Sequence, residues 1–207
     1  MRIRRTMRRL AVALAFATAG VLAAPGGASA AESTVPYLCP VEFLGESFVL
    51  NYSRSFDVTA PATVAPNQVF TVSFDPEPIN PLPQFNTKVW DVKFVYNLPA
   101  GARVLGYALV GGYNLGDSQQ KVEFSDGRVS LYASGPFAAG VDSDVPTLKV
   151  FLRAPSSGVL TTSVAGTSRE DPGFRWTAED PATGEVGELP CYPDPARPVV
   201  LSSTTVS

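Results

Sequence analysis

Few residues in this chain could carry out chemistry, because its 207 residues include no histidine and only two cysteines. Without histidine, neither the Ser-His-Asp and Cys-His nucleophile systems nor the commonest zinc sites can form. Since the N-terminus has the features of an export signal, described below, we expect Cys39 and Cys191 to form a disulfide, with two buried free thiols as the alternative. A disulfide would also remove both thiols as nucleophiles.

Carboxylates remain as acids and bases, and a pair of them can hydrolyse a glycosidic bond. Three pairs are close in the sequence: Glu170 with Asp171, Glu179 with Asp180, and Glu185 with Glu188. They lie beside prolines and glycines in what reads as a connecting segment, which favours solvated loop charges. We therefore predict that the protein is not an enzyme, and keep a carboxylate-dependent, glycan-acting enzyme as an alternative.

Metal and cofactor sites have little support in the sequence. Asp117, Asp142 and Asp144 offer oxygen ligands of the kind that Ca²⁺ prefers, but the glycine and the bidentate glutamate of a twelve-residue calcium loop are missing. The glycines show neither the G-x-G-x-x-G nor the P-loop spacing that cradles phosphates. We expect no metal and no cofactor.

Four large aromatic residues with a polar tip are the candidates for recognition: Tyr107, Tyr113, Tyr132 and Trp176. Such side chains are common where proteins bind sugars or other proteins, although packing in the core is the alternative for each. Tyr107 and Tyr113 flank the Gly111-Gly112 loop. We predict that these aromatics form a recognition surface for a protein or glycan at the cell envelope.

Apolar and polar residues alternate with a period of two along much of the chain, which is typical of strands with one buried face. Trp90, Val92, Phe94 and Tyr96 are predicted to share such a face and to fill the interior. The same pattern predicts strands at Phe48–Tyr52, Phe56–Thr59, Val69–Phe74, Arg103–Val110, Val129–Ala133, Leu148–Leu152, Val159–Ala165 and Phe174–Ala178.

Turn residues separate these strands, and the chain has nineteen prolines and seventeen glycines, which disfavour helices. The prediction is an all-β fold, an immunoglobulin-like antiparallel β-sandwich, with a β-barrel as the alternative. Four prolines between Asp75 and Phe85 exclude an interior strand, so we expect a crossover between sheets there. The Cys39–Cys191 disulfide would close the sandwich by joining the start of the domain to its end.

Residues 1–30 are predicted to be a cleavable signal peptide. Five arginines in the first ten residues precede an apolar stretch, Ala11–Ala24, that is shorter than the roughly 20 residues a membrane-spanning helix needs. Ala28-Ser29-Ala30 offers the small residues of a cleavage site. We place the cut before Ala31, with the bond after Ala31 as the alternative, which leaves residues 31–207 as a single domain.

Cleavage would remove five of the sixteen basic residues and none of the nineteen acidic ones, which leaves a net charge of about −8. The remaining basic residues are scattered singly, so we predict no binding to nucleic acid. No second apolar stretch is long enough to span a membrane, so we also predict no transmembrane segment. The predicted location is extracellular, either secreted outright or loosely associated with the cell wall.

Three segments resemble the immunoglobulin-like repeats of bacterial surface proteins: Val92–Val104, Asp126–Leu131 and Thr147–Ala154. In those repeats a strand ends in a Leu-Pro-x-Gly turn, a later strand follows a turn with glycine, and another ends near an Arg-Ala pair. The resemblance covers about the middle third of the chain. It implies an immunoglobulin-like fold and carries no activity.

The mature chain is also similar to single-domain secreted actinobacterial proteins, in Ala60–Pro66, in Gly166-Thr167-Ser168 with Asp171-Pro172-Gly173, and in Cys191-Tyr192-Pro193. That similarity offers no activity to transfer. We therefore predict a secreted, non-catalytic, immunoglobulin-like binding or envelope-associated module. A secreted enzyme inhibitor is a further alternative, and Glu77–Gln84 would then be its inhibitory loop.

Overall fold

The computed structural model describes residues 28–43 and 45–207, and in this part of the chain all regular secondary structure is β-strand. The strands are β1 (Ala28–Phe43), β2 (Glu46–Pro61), β3 (Thr63–Val64), β4 (Val69–Pro76), β5 (Lys88–Asn97), β6 (Arg103–Val110), β7 (Gln120–Ser125), β8 (Arg128–Ala133), β9 (Phe137–Ala138), β10 (Thr147–Arg153), β11 (Gly158–Val164), β12 (Phe174–Glu179), β13 (Val186–Pro193) and β14 (Ser202–Val206).

The strands form two sheets that pack as an immunoglobulin-like β-sandwich, which confirms the predicted fold class, and all pairs are antiparallel except β3 with β14. The first sheet has the order β6–β10–β4–β2–β1, and the second has the order β7–β8–β5–β12–β13. Two short extensions lengthen the second sheet. β11 pairs with β5 beyond the end of β12 and is followed in the sheet by β14 and β3, and β9 pairs with β5 beyond the end of β8. The last residues of β13 pair with β1, so this strand joins the two sheets at one side.

Aromatic side chains from facing strands fill the space between the sheets. Phe74 of β4 stacks on Tyr96 of β5 with 4.4 Å between ring centroids, and Phe56 of β2 meets Phe94 of β5 edge-on at 6.2 Å. Both β5 residues were expected in the interior. The prediction for Trp90 was wrong, because Val89 is buried instead. The Trp90 ring is half buried, and its centroid lies 5.7 Å from the Lys88 ammonium.

The disulfide between Cys39 and Cys191 is present, as predicted, and both residues are fully buried. It joins β1 to β13 beside their short ladder of two residue pairs. The two cysteines are 152 positions apart in the sequence. In the chain-entropy description, closing a loop of this length stabilises the fold by about 5 kcal/mol. The bridge thus reinforces the side where the two sheets meet.

The predicted crossover between the sheets connects β4 of the first sheet to β5 of the second. Its first half is tied to the core by Arg54, whose buried guanidinium lies 5.3 and 5.0 Å from the ring centroids of Phe94 and Phe174. Nη2 of Arg54 donates a hydrogen bond of 2.5 Å to the carbonyl of Glu77. The start of the candidate inhibitory loop is therefore anchored rather than projecting.

The predicted signal peptide lies outside the described residues apart from its last three. Those three, Ala28-Ser29-Ala30, begin β1 and pair with residues 59–61 of β2. No helix long and apolar enough to cross a membrane occurs in residues 28–43 and 45–207.

Candidate functional site

The four candidate aromatics do not share one surface. Tyr107 and Tyr113 are about half exposed, at the end of the first sheet formed by β6 and the loop after it. Tyr132 points to the outer face of the second sheet, where its hydroxyl donates a hydrogen bond to Asp91. That bond raises the pKa of the Tyr132 hydroxyl, together with its burial.

Trp176 belongs to the core rather than to an exposed surface. It is 7% exposed and packs edge-on against Phe174 and Tyr52 at 5.3 and 6.0 Å. The alternation along β12 explains this placement, because Phe174 and Trp176 face inward while Arg175 between them faces out. Trp176 is therefore mainly a core residue, although part of it lines a small hollow on the outer face of the second sheet.

Exposed apolar residues occur along β6, in the loop after it and on β7, and we call this set the edge surface. Its six members are between 37% and 48% exposed: Val104, Leu105, Tyr107, Val110, Tyr113 and Phe124. Phe124 comes from β7 of the second sheet, and its ring centroid lies 5.8 Å from that of Tyr107. The edge surface thus spans the open side of the sandwich, opposite in the sheet order to the side that the disulfide closes.

The backbone of β6 is open along one edge, since among the described residues this strand pairs only with β10. No charged residue and no proline occurs from Val104 to Val110, although these are the usual means of blocking an edge strand. A β-bulge leaves Leu105 without a partner in the ladder, so Gly106–Val110 is the regular part. By contrast, β7 carries an ion pair between Lys121 and Glu123.

A groove of about 580 Å³ lies on the outer face of the second sheet. Its floor is formed by outward-facing residues of β5, β8 and β12, including Lys93, Ser130 and Arg175. A smaller hollow of about 220 Å³ adjoins it through Arg175 and contains Asp91 and Tyr132. We refer to both together as the groove.

A distortion of the sheet shapes this floor. The ladder between β5 and β12 shifts register between Arg175 and Thr177, and Asp91 on β5 has a φ of 52°, in the left-handed region. This bulge turns the Asp91 carboxylate outward to accept the hydrogen bond from Tyr132. It also explains why Trp90 and Val89 exchange faces relative to a regular strand.

One wall of the groove is the loop between β11 and β12, which closes on itself through backbone contact. Gly166 and Gly173 cross so closely that a Cβ on Gly173 would overlap the carbonyl oxygen of Ala165. The amide of Thr167 donates to the carbonyl of Asp171 at 2.9 Å. These contacts explain why positions 166 and 173 are glycines. In the sequence, both glycines were noted only within segments that are similar to secreted actinobacterial proteins.

Arg128 of β8 fixes this wall to the floor. Its two terminal nitrogens donate to the two carboxylate oxygens of Asp171 at 2.6 and 3.2 Å, a bidentate pair. The Arg128 guanidinium holds the pKa of the Asp171 carboxyl below its ordinary value. Both side chains remain more than a third exposed, so the stabilisation of the fold is modest.

Three carboxylates in the groove have the wrong electrostatics for a glycosidase general acid, which requires a raised pKa. The pKa of Glu170 is lowered by a hydrogen bond from Ser168, and that of Glu123 by a hydrogen bond from Lys121. The pKa of Asp171 is lowered by Arg128, as described above. All three are therefore ionised acceptors of hydrogen bonds near neutral pH.

Four of the remaining carboxylates singled out in the sequence lie in local contacts, while Glu188 lines the smaller hollow of the groove. Glu179 pairs with Lys88 at 2.9 Å, and Asp180 accepts hydrogen bonds within its own turn. Asp142 accepts a hydrogen bond of 2.7 Å from Asn80, while the backbone of Asp144 pairs with that of Tyr113. No group of three potential metal ligands forms within residues 28–43 and 45–207.

No protein-family model matches this sequence, and no curated protein matches it either. Among solved structures, a Corynebacterium diphtheriae protein thought to be membrane anchored has a TM-score of 0.56 and 16% identity over 86% of this chain. The chain spans 38% of that protein's length. At this identity the likeness concerns the fold alone.

Two cohesin domains are also similar. The seventh ScaB type I cohesin of Pseudobacteroides cellulosolvens has a TM-score of 0.41 and 11% identity, covering 70% of this chain and 86% of that domain. A type II cohesin of the Acetivibrio cellulolyticus cellulosome has a TM-score of 0.40 and 12% identity, covering 74% of this chain and 91% of that domain.

Proposed function

We propose that this protein is an exported, non-catalytic binding module that holds a partner protein on its edge surface. The observation that carries the proposal is the open edge of β6, which combines an unpaired backbone with six exposed, large apolar side chains around it. Tyr107 and Phe124 contact each other within this set, and exposed apolar clusters on proteins mark sites of protein contact. An unblocked edge strand is a hazard for aggregation unless a partner covers it.

The partner that fits this surface is an extended, uncharged segment of another protein. Such a segment would add a strand to β6, with its backbone satisfying the open N–H and C=O groups of Gly106–Val110. Its alternate side chains would pack against Tyr107 and Phe124, whose rings lie 5.8 Å apart at the mouth of the sandwich. Tyrosine at the centre of such a contact often contributes about 2 kcal/mol or more to binding.

Export is supported by two observations. The disulfide between Cys39 and Cys191 is of the kind that persists in oxidising compartments. The arginine-rich and then apolar N-terminal sequence has the order of an export signal.

Selection from a random library of displayed peptides tests the partner chemistry. We expect the selected peptides to be uncharged, with alternating apolar residues, and to slow hydrogen exchange of β6 amides that do not bond to β10. Tyr107→Lys should weaken their binding by about 2 kcal/mol, roughly 30-fold, because a charge replaces the central ring. Its side chain is about half exposed, so the fold should tolerate the change.

Val159→Lys is the matched control, because Val159 lies on β11 and is 64% exposed, outside the edge surface. It should bind the selected peptides like the unchanged protein. Peptides that bind both variants equally would contradict the proposal. So would sedimentation showing a dimer that Tyr107→Lys dissociates, since a second copy would then occupy the edge.

A further inference from the structure

Two cations lie directly opposite each other in the floor of the groove. Lys93 on β5 and Arg175 on β12 are cross-strand partners, and both side chains point to the outer face of the second sheet. Side chains in this relation have Cβ atoms about 5 Å apart, and like charges there destabilise the sheet. The pair therefore opposes folding in the free protein.

The two cations differ in their acidic neighbours. The carboxylate of Glu123 lies 3.9 Å from the Lys93 ammonium but only 2.5 Å from that of Lys121, so it is shared and held mainly by Lys121. Arg175 takes part in no ion pair within the part of the chain that the structure describes. The third groove cation, Arg128, differs because Asp171 binds it in bidentate fashion.

The groups around this pair are mainly hydrogen-bonding ones, although Val95, Pro172 and Trp176 also belong to the lining. Carboxylates line the groove, among them Glu170 and Asp126 in its larger part and Glu188 in the smaller hollow. Hydrogen bonding to Ser168 lowers the pKa of Glu170, so this carboxylate is an acceptor near neutral pH. Such acceptors bind hydroxyl donors, while they repel a ligand with dense negative charge.

We propose that the groove is a binding site for a saccharide that carries a carboxylate. The sugar carboxylate lies between Lys93 and Arg175, where the Arg175 guanidinium can bind it in bidentate fashion. The hydroxyls of the sugar donate to the carboxylates along the groove. The volume of about 580 Å³ is within the range of small-molecule sites. This site is independent of the edge surface and of its protein partner.

A defined tetrasaccharide in which glucuronate alternates with a neutral sugar is the probe, used in calorimetric titrations of the full protein. A neutral tetrasaccharide and inorganic phosphate are the comparison ligands. Arg175→Gln should reduce binding of the acidic tetrasaccharide at least tenfold. Lys149→Gln is the control, since it removes one charge from the outer face of the first sheet and should leave binding unchanged.

A second readout distinguishes a binding role from a structural one. Without ligand, Arg175→Gln should raise the denaturant midpoint of unfolding, because it relieves the repulsion from Lys93. Loss of binding together with a higher midpoint supports the proposal. Failure of the acidic tetrasaccharide to bind, equal binding of the neutral one, tighter binding of phosphate, or a lower midpoint in Arg175→Gln would each overturn it.

Discussion

The edge surface and the groove share a strand but differ in almost every physical property. On β7, Phe124 faces the interior side and joins the edge surface, while Glu123 on the other face belongs to the groove. The edge surface has an open backbone and apolar side chains. The groove has a fully paired sheet as its floor, with charges of both signs above it.

This difference shows how one sandwich can offer two kinds of contact. Period-two alternation places neighbouring residues of one strand on surfaces of opposite chemistry. The edge surface is available because the first sheet ends at β6, whereas the groove exists because a loop rises beside the second sheet and a bulge distorts its floor. Changes to backbone geometry should therefore affect binding at the groove most. Changes to side-chain polarity should affect binding at the edge surface most.

The largest effect is expected from Gly173→Ala in the groove wall. A Cβ there would overlap the carbonyl oxygen of Ala165, and backbone cannot move aside as a flexible side chain can. We expect the free energy of unfolding to fall by about 3 kcal/mol, at the upper end of the cost of overpacking. Urea unfolding followed by tryptophan fluorescence measures it.

Gly187→Ala is the matched control on β13, because no atom lies within 4 Å of its added Cβ. Its effect on stability should be small. If Gly173→Ala remains folded, its binding of the acidic saccharide should be weaker, while its binding of peptides at the edge surface should be retained. Equal stability of the two alanine variants would mean that the crossing of Gly166 and Gly173 is looser than described.

A smaller effect is expected from acid, and it should be confined to the groove. The Arg128 guanidinium depresses the pKa of Asp171 in the folded state, so the ion pair stabilises the fold above pH about 4, the unfolded value. This stability is lost as the pH falls through the lower, folded-state pKa. Because both groups are more than a third exposed, we expect less than about 1 kcal/mol.

Asp171→Asn tests this pH dependence, since it removes the titrating group while preserving the shape of the side chain. The stability difference between the unchanged protein and this variant should shrink as the pH is lowered from 7 to 3, measured by urea unfolding. A difference that stays constant over that range would show that the pair with Arg128 does not shift the titration of Asp171.

The sequence predicted the regular strands well, because alternation is a local signal. The predicted strand Arg103–Val110 has the bounds of β6, and the two segments predicted within residues 48–59 are parts of the single strand β2. The strands β1 and β13 were not predicted as strands, since prolines interrupt their patterns. The exchange of Trp90 and Val89 arises from a bulge at Asp91, which alternation alone does not reveal.

The candidate sites were predictable only in part. Tyr107 and Tyr113 were identified because large aromatics beside a double glycine indicate an exposed turn. The pair of Lys93 and Arg175 was missed, because it depends on the register between strands that are 82 residues apart in the sequence. Charge spacing along one strand gives no information about the partner across the sheet.

The most direct test of two separate surfaces is a crossed titration. The acidic tetrasaccharide and a selected apolar peptide are each titrated into Tyr107→Lys and Arg175→Gln. The expected result is that Tyr107→Lys loses only the peptide and Arg175→Gln loses only the saccharide. If either variant, still folded, lost both ligands, or if one ligand displaced the other, the two surfaces would form a single site and their independence would be contradicted.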